Sequence, residues 1–107
     1  MISDSVKIVV FIPLDNVEQV LKAMHDLGAG IIGNYSHCSF SSKGTGRFFP
    51  EDDADPVIGS RGKLETVNEE RVEVVCPKAS LKDVLIAMKA AHPYEEVAYD
   101  VYQRLDE

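Results

Sequence analysis

The stretch Val6–Ile12 is rich in β-branched side chains, apolar on both faces apart from Lys7, and closed by Pro13. β-Branched residues fit a pleated backbone, and proline cannot donate to the next ladder position, so the run is a strand. Successive strand residues face opposite sides, and a strand apolar on both sides therefore belongs in the interior of a sheet, covered at least partly on each face. The rest of the chain has to supply that cover.

Two amphipathic helices are predicted. Val17, Val20, Leu21, Met24 and Leu27 recur at helical spacing, with Glu18 in the first turn and Gly28 as a C-terminal stop. Asp15 or Asn16 is placed to cap this helix. Leu81, Val84, Leu85, Met88 and Ala91 form the second stripe, with Ser80 as cap, Asp83 at the capping-box position, and Pro93 ending the helix near His92.

Further strands are expected at Tyr35–Ser42, at Leu64–Val67 with Arg71–Cys76 (one bent strand broken near Asn68), and at Val97–Tyr102. A polar tail, Arg104–Glu107, follows. Between the middle strands, 43–63 holds Gly44, Gly46, Gly59, Gly62, Pro50 and Pro56 with the acidic cluster Glu51, Asp52, Asp53 and Asp55. It reads as a long loop or extra hairpin, with Arg47–Phe49 as a short added strand. The order β-α-β-β-α-β predicts one α+β domain over 1–107, a ferredoxin-like βαββαβ sandwich with an antiparallel sheet and both helices on one face. The other face stays bare, with Val9, Phe11 and Val75 as candidates to lie on it, and self-association is the expected consequence.

Charge excludes one large class of partner. Eleven Lys and Arg against 18 Asp and Glu give a net charge of -7, which opposes binding to a phosphate backbone. No apolar run is long enough to cross a bilayer, and the N-terminus lacks the basic start of a signal peptide. Cys38 and Cys76 form no CxxC pair, so a reducing cytoplasm is the expected setting.

The most unusual run is His92-Pro93-Tyr94-Glu95-Glu96-Val97-Ala98-Tyr99-Asp100. Imidazole and carboxylate together can ligate a divalent or transition metal ion, so His92 with Glu95 or Glu96 is a candidate site. The structural alternative has His92 ending the helix stripe, Pro93 turning the chain and Tyr94 packing. His37 and Cys38 are further candidates. As neighbours on a strand they point apart, and only one of them could join His92 across the sheet or a subunit boundary. No base or thiolate-favouring group accompanies either cysteine in sequence. Lys43-Gly44-Thr45-Gly46-Arg47 lacks P-loop spacing and reads equally well as a turn.

Three stretches carry a family resemblance. They are Tyr35-Ser36-His37-Cys38-Ser39-Phe40, then Gly44–Pro50 with Ile58-Gly59 and Gly62–Glu65, and finally His92–Asp100. Together they resemble the inserted middle domain of the YqfO-like proteins, the GTP cyclohydrolase I type 2 homologues. The resemblance spans nearly the whole chain. It implies a fold similar to the PII signalling proteins and to CutA, the trimeric divalent-cation-tolerance protein. In that family the dinuclear metal site belongs to the flanking halves, which this sequence lacks, so neither its ligands nor a cyclohydrolase activity carries over. The implied protein is a free-standing version of the insert, a trimer or dimer. The expected function is a non-enzymatic regulatory or interaction module with a possible protein partner. The alternative is metal binding through His92, Glu95, Glu96, His37 and Cys38. A third reading, catalysis on a phosphorylated or nucleotide substrate, rests on the Gly44–Gly46 loop alone.

Overall fold

A computed structural model describes residues 1–106. Its elements run β1 (Ile2–Pro13), α1 (Val17–Asp26), β2 (Phe40–Phe48), β3 (Glu65–Pro77), α2 (Leu81–Ala91) and β4 (Tyr99–Leu105). The four strands form one sheet in the order β2-β3-β1-β4, antiparallel throughout. This is the expected α+β, ferredoxin-like architecture, with β1 in the interior of the sheet as its two-sided apolar pattern requires.

The core follows from the two periodicities. Val6, Ile8, Val10 and Ile12 of β1 and Val72, Val74 and Cys76 of β3 share one sheet face. Val17, Val20 and Met24 of α1 and Val84 and Met88 of α2 pack onto it. Both helices therefore cover the same face. Cys76 lies in this core, and burial pushes its thiol above the ordinary range.

The opposite face carries Lys7, Val9, Phe11, Arg71, Glu73, Val75 and Tyr102. Val9 is buried even there, between its cross-strand partners Glu73 and Asp100. The Lys7 ammonium donates to Glu73 at 3.2 Å, and the Arg71 guanidinium lies 3.5 Å from the other carboxyl oxygen. That bond from Lys7, with the two positive charges, holds the Glu73 carboxyl below its ordinary range. Arg71 also stacks over the Phe11 ring at 5.8 Å from its centroid.

Several local expectations shift. The second strand begins at Phe40, not Tyr35, because Ile32 and Tyr35 pair across a tight Gly33-Asn34 turn and His37 takes a left-handed φ of 57°. Strand β2 runs through Gly44 and Gly46 to Phe48, so the irregular excursion covers 49–64 rather than 43–63. The segment Leu64–Cys76 forms one continuous strand from Glu65, unbroken at Asn68. Its first residues, Glu65–Asn68, pair with β2 alone, and the hairpin projects past the end of β1. Neither Asn16 nor Ser80 makes a side-chain cap, because a single 3₁₀ turn (Leu14–Asn16, Lys78–Ser80) leads into each helix. The last strand begins at Tyr99 rather than Val97 and takes in Arg104 and Leu105, which the sequence placed in a polar tail; Glu107 lies outside the described residues.

Candidate functional site

Pro93 cannot continue a helix, so α2 ends at Ala91 and His92 turns extended. His92 is buried at the junction between α2 and the end of β1. Its Nε2 lies 2.7 Å from the Phe11 carbonyl oxygen, and its Nδ1 accepts the Tyr94 backbone N–H at 3.1 Å. The carbonyl can only accept, so these bonds assign the neutral tautomer protonated at Nε2. Both ring nitrogens are thus committed to backbone.

Burial lowers the His92 pKa from 6.5, against a smaller opposing effect of the Phe11 bond. A histidine held neutral in the fold is protonated first in the unfolded chain, which then binds more protons. Its contribution is therefore complete above about pH 6.5 and declines as pH falls toward the lower, folded value. Urea unfolding between pH 5 and 8 should show this decline in the native chain and a smaller slope in His92→Gln. Identical slopes in the two proteins would contradict the assignment.

After His92 the chain crosses the end of β1 onto the open sheet face. There the Tyr94 hydroxyl donates to Glu69 Oε2 at 3.0 Å, and its ring lies 5.9 Å from that of Phe48. Burial, then the bond to Glu69 and its charge, push the Tyr94 phenol far above its ordinary range. Glu95 Oε1 accepts the Asp55 backbone N–H at 2.8 Å, which fastens the excursion to this segment. Within the excursion, Gly62 N–H donates to the Pro50 carbonyl at 2.8 Å and Arg61 Nε to Ala54 at 2.6 Å.

Together these pieces enclose a cleft of about 750 Å³. Its floor is Phe11, Arg71, Glu69 and the bare backbone of Gly44 and Gly46, with walls from Tyr94–Glu96 and from Phe49, Pro56, Val57 and Ile58. Two of the stretches that carry the family resemblance, Gly44–Pro50 with Ile58 and the His92 run, therefore meet in space. Gly46 lets the Glu69 carboxylate approach the strand closely, since a Cβ there would sit 2.6 Å from the carboxyl carbon and the side chain would have to shift. Gly46→Ala should displace that carboxylate from Tyr94 and cost about 1–2 kcal/mol in urea unfolding. An unchanged midpoint would mean that Glu69 swings aside freely.

His37 and Cys38 lie elsewhere. Cys38 N–H donates to the Gly30 carbonyl, and Gly30 N–H to Val75, which pairs with Lys7. Four residues of β1 separate that end of the sheet from Phe11, about 13 Å at 3.3 Å per residue. The His37 ring packs instead against His25, 4.9 Å between centroids. Among the described residues, no group of three or more His, Cys, Asp or Glu is arranged to hold a metal ion.

Sequence reasoning did not single out Glu69, Phe11 or Arg71 as site residues. The available signal was Gly46, because a glycine inside a strand marks close approach by another group.

The fold is that of a ferredoxin-like α+β domain, the arrangement also seen in CutA and PII-like structures. At the level of sequence, the chain is similar to proteins called GTP cyclohydrolase 1 type 2 homolog. It is 54% identical over 96 residues to the one from Mycobacterium leprae, matching 90% of this chain and 25% of that protein. The Bacillus subtilis counterpart is likewise 54% identical over 96 residues, 26% of its own length. The solved structure of a Bacillus cereus protein related to NIF3 matches at a TM-score of 0.82 and 50% identity, covering 100% of this chain and 27% of that one. The chain thus spans about a quarter of the length of the curated relatives it matches. The periplasmic divalent cation tolerance protein CutA from Archaeoglobus fulgidus matches at a TM-score of 0.63 and 18% identity, over 91% of this chain and 80% of its own. GlnK of B. subtilis matches at 0.61 and 15%, over 95% and 86%. These two likenesses show the fold alone. No protein-family model matches the chain.

Proposed function

We propose that this chain is a non-enzymatic regulatory or interaction module that associates with copies of itself through the open sheet face. The observation that carries this reading is the one-sided placement of the helices. Phe40 and Tyr102 lie on the uncovered face, opposite Glu73 and Lys7, at 67% and 49% exposure. Strands β2 and β4 are both sheet edges with unpaired backbone groups. Aromatic side chains and arginine are enriched at interfaces, and Phe40, Tyr102 and Arg71 supply them on this face. A trimer or dimer agrees with what the family resemblance implies, and a further protein partner would dock on the same surface. Among the described residues, no helix is long and apolar enough to cross a membrane. Phe40→Asp with Tyr102→Asp should weaken self-association about tenfold or more and leave the circular dichroism unchanged. An unaltered mass distribution at all concentrations would contradict the assignment.

A second reading is binding of a divalent or transition metal ion, for which the packed His25 and His37 rings offer two imidazoles, each with its Nδ1 already bonded, to Ala29 and to Ser36. Cys38 is the neighbouring candidate there, and Glu95 and Glu96 line the separate cleft. His92 would ligate only by releasing Phe11 or Tyr94. Zinc, copper, nickel, cobalt or manganese at about 100 times its dissociation constant would stabilise the fold by about 2.7 kcal/mol. A thermal midpoint indifferent to all five contradicts this reading.

A further inference from the structure

The cleft holds chemistry that self-association does not use. Glu69 is 8% exposed, lines the cleft and accepts one hydrogen bond, from Tyr94 on Oε2. Among the described residues it makes no ion pair: of the three cations lining the cleft, Arg71 is committed to Glu73 and to the Phe11 ring, and neither Lys43 nor Arg47 reaches it. Its Oε1 lies beside Gly46 and accepts no hydrogen bond, and since no fully buried side-chain oxygen among the described residues lacks a partner, this oxygen keeps some access to the cleft. A largely buried carboxylate with a free acceptor oxygen and no counter-charge is a favourable partner for a cationic or strongly donating group.

The surroundings define the rest of that group's shape. The Phe48 and Tyr94 rings and the side chains of Val57 and Ile58 are apolar surface suited to a flat ring. Gly44 and Gly46 leave the strand backbone open to close approach. Glu51, Glu95 and Glu96 add negative charge at the wall, against the Lys43 and Arg47 cations that also line the cleft. A volume of about 750 Å³ falls within the range of pockets that take drug-sized ligands.

We propose that the cleft binds a small organic cation with an aromatic or heteroaromatic body, an amidinium or amino-heterocycle, whose charged end meets Glu69. The ring packs beside Phe48 and Tyr94 and under the excursion. This goes beyond the interaction module proposed above. The Phe40 and Tyr102 surface lies toward the Lys7–Glu73 end of the sheet, and the cleft toward Phe11.

The test is a titration of the intact chain with p-aminobenzamidine, followed by its fluorescence, with benzamidine and benzoate as competitors. Saturable binding is expected, displaced by benzamidine and not by benzoate. Glu69→Gln should weaken it about tenfold or more, the loss of one charge-assisted bond. Gly44→Leu fills the cleft and should weaken it equally. A Cβ at Gly44 meets nothing within 4 Å, so this variant is expected to fold and to decide the matter if Glu69→Gln does not. Absence of saturable binding, equal displacement by benzoate, or full affinity in Gly44→Leu would each overturn the proposal.

Discussion

His92→Ala lowers the unfolding free energy by about 2–4 kcal/mol, a fall of roughly 10–25 °C in Tm for a chain of this size. The imidazole is 6% exposed and spans two backbone groups, the Phe11 carbonyl and the Tyr94 amide. Alanine leaves both without that partner at a buried junction and adds a void beside the Tyr94 ring, 5.0 Å away. His92→Gln can still donate to Phe11 and should lose about half as much. Chemical denaturation of the two variants measures the difference. A loss below about 0.5 kcal/mol for alanine, the level of an ordinary surface substitution, would show that His92 is not the tie described here.

Ile8→Ala removes more apolar surface and should cost about 3–5 kcal/mol. Ile8 is fully buried in β1 and packs among Val72, Val74 and both helices. Its cross-strand partners are Val74 on one side and Val101 on the other. An interior strand position bounded by ladders on both sides has little room to collapse, so most of the cavity persists. Urea unfolding at constant m-value checks this. Ile8→Val, with one methylene removed, should cost about 1 kcal/mol.

The parts of the fold legible in the sequence were those set by periodicity. β1 announced itself by apolar residues on both faces, and both helices by their stripes. The helix starts were less legible. Asn16 and Ser80 are good caps by type, yet each lies at the end of a 3₁₀ turn with helical φ and ψ, where its side chain makes no cap. The sequence places the second strand at Tyr35–Ser42 and the structure at Phe40–Phe48, because Gly44 and Gly46 read as turn residues in sequence. In three dimensions their pairing with Glu69 and Val67 keeps them extended, and Gly46 makes room for a carboxylate that sequence spacing cannot locate. The cleft was legible only in pieces. The His92 run and the Gly44–Pro50 run are distant along the chain, and the bonds joining them, Tyr94 to Glu69 and Glu95 to Asp55, are purely tertiary. The bare sheet face was anticipated from Val9, Phe11 and Val75, but its charged half, Lys7 with Glu73 and Arg71, appears only once the register is known.

We propose that the uncovered sheet face joins one copy of this chain to another. Sedimentation equilibrium of the purified chain, over a wide range of protein concentrations, tests it most directly. The expected mass is a small whole multiple of 11.8 kDa, falling toward the single-chain value in Phe40→Asp with Tyr102→Asp. A mass of 11.8 kDa at every concentration would contradict it.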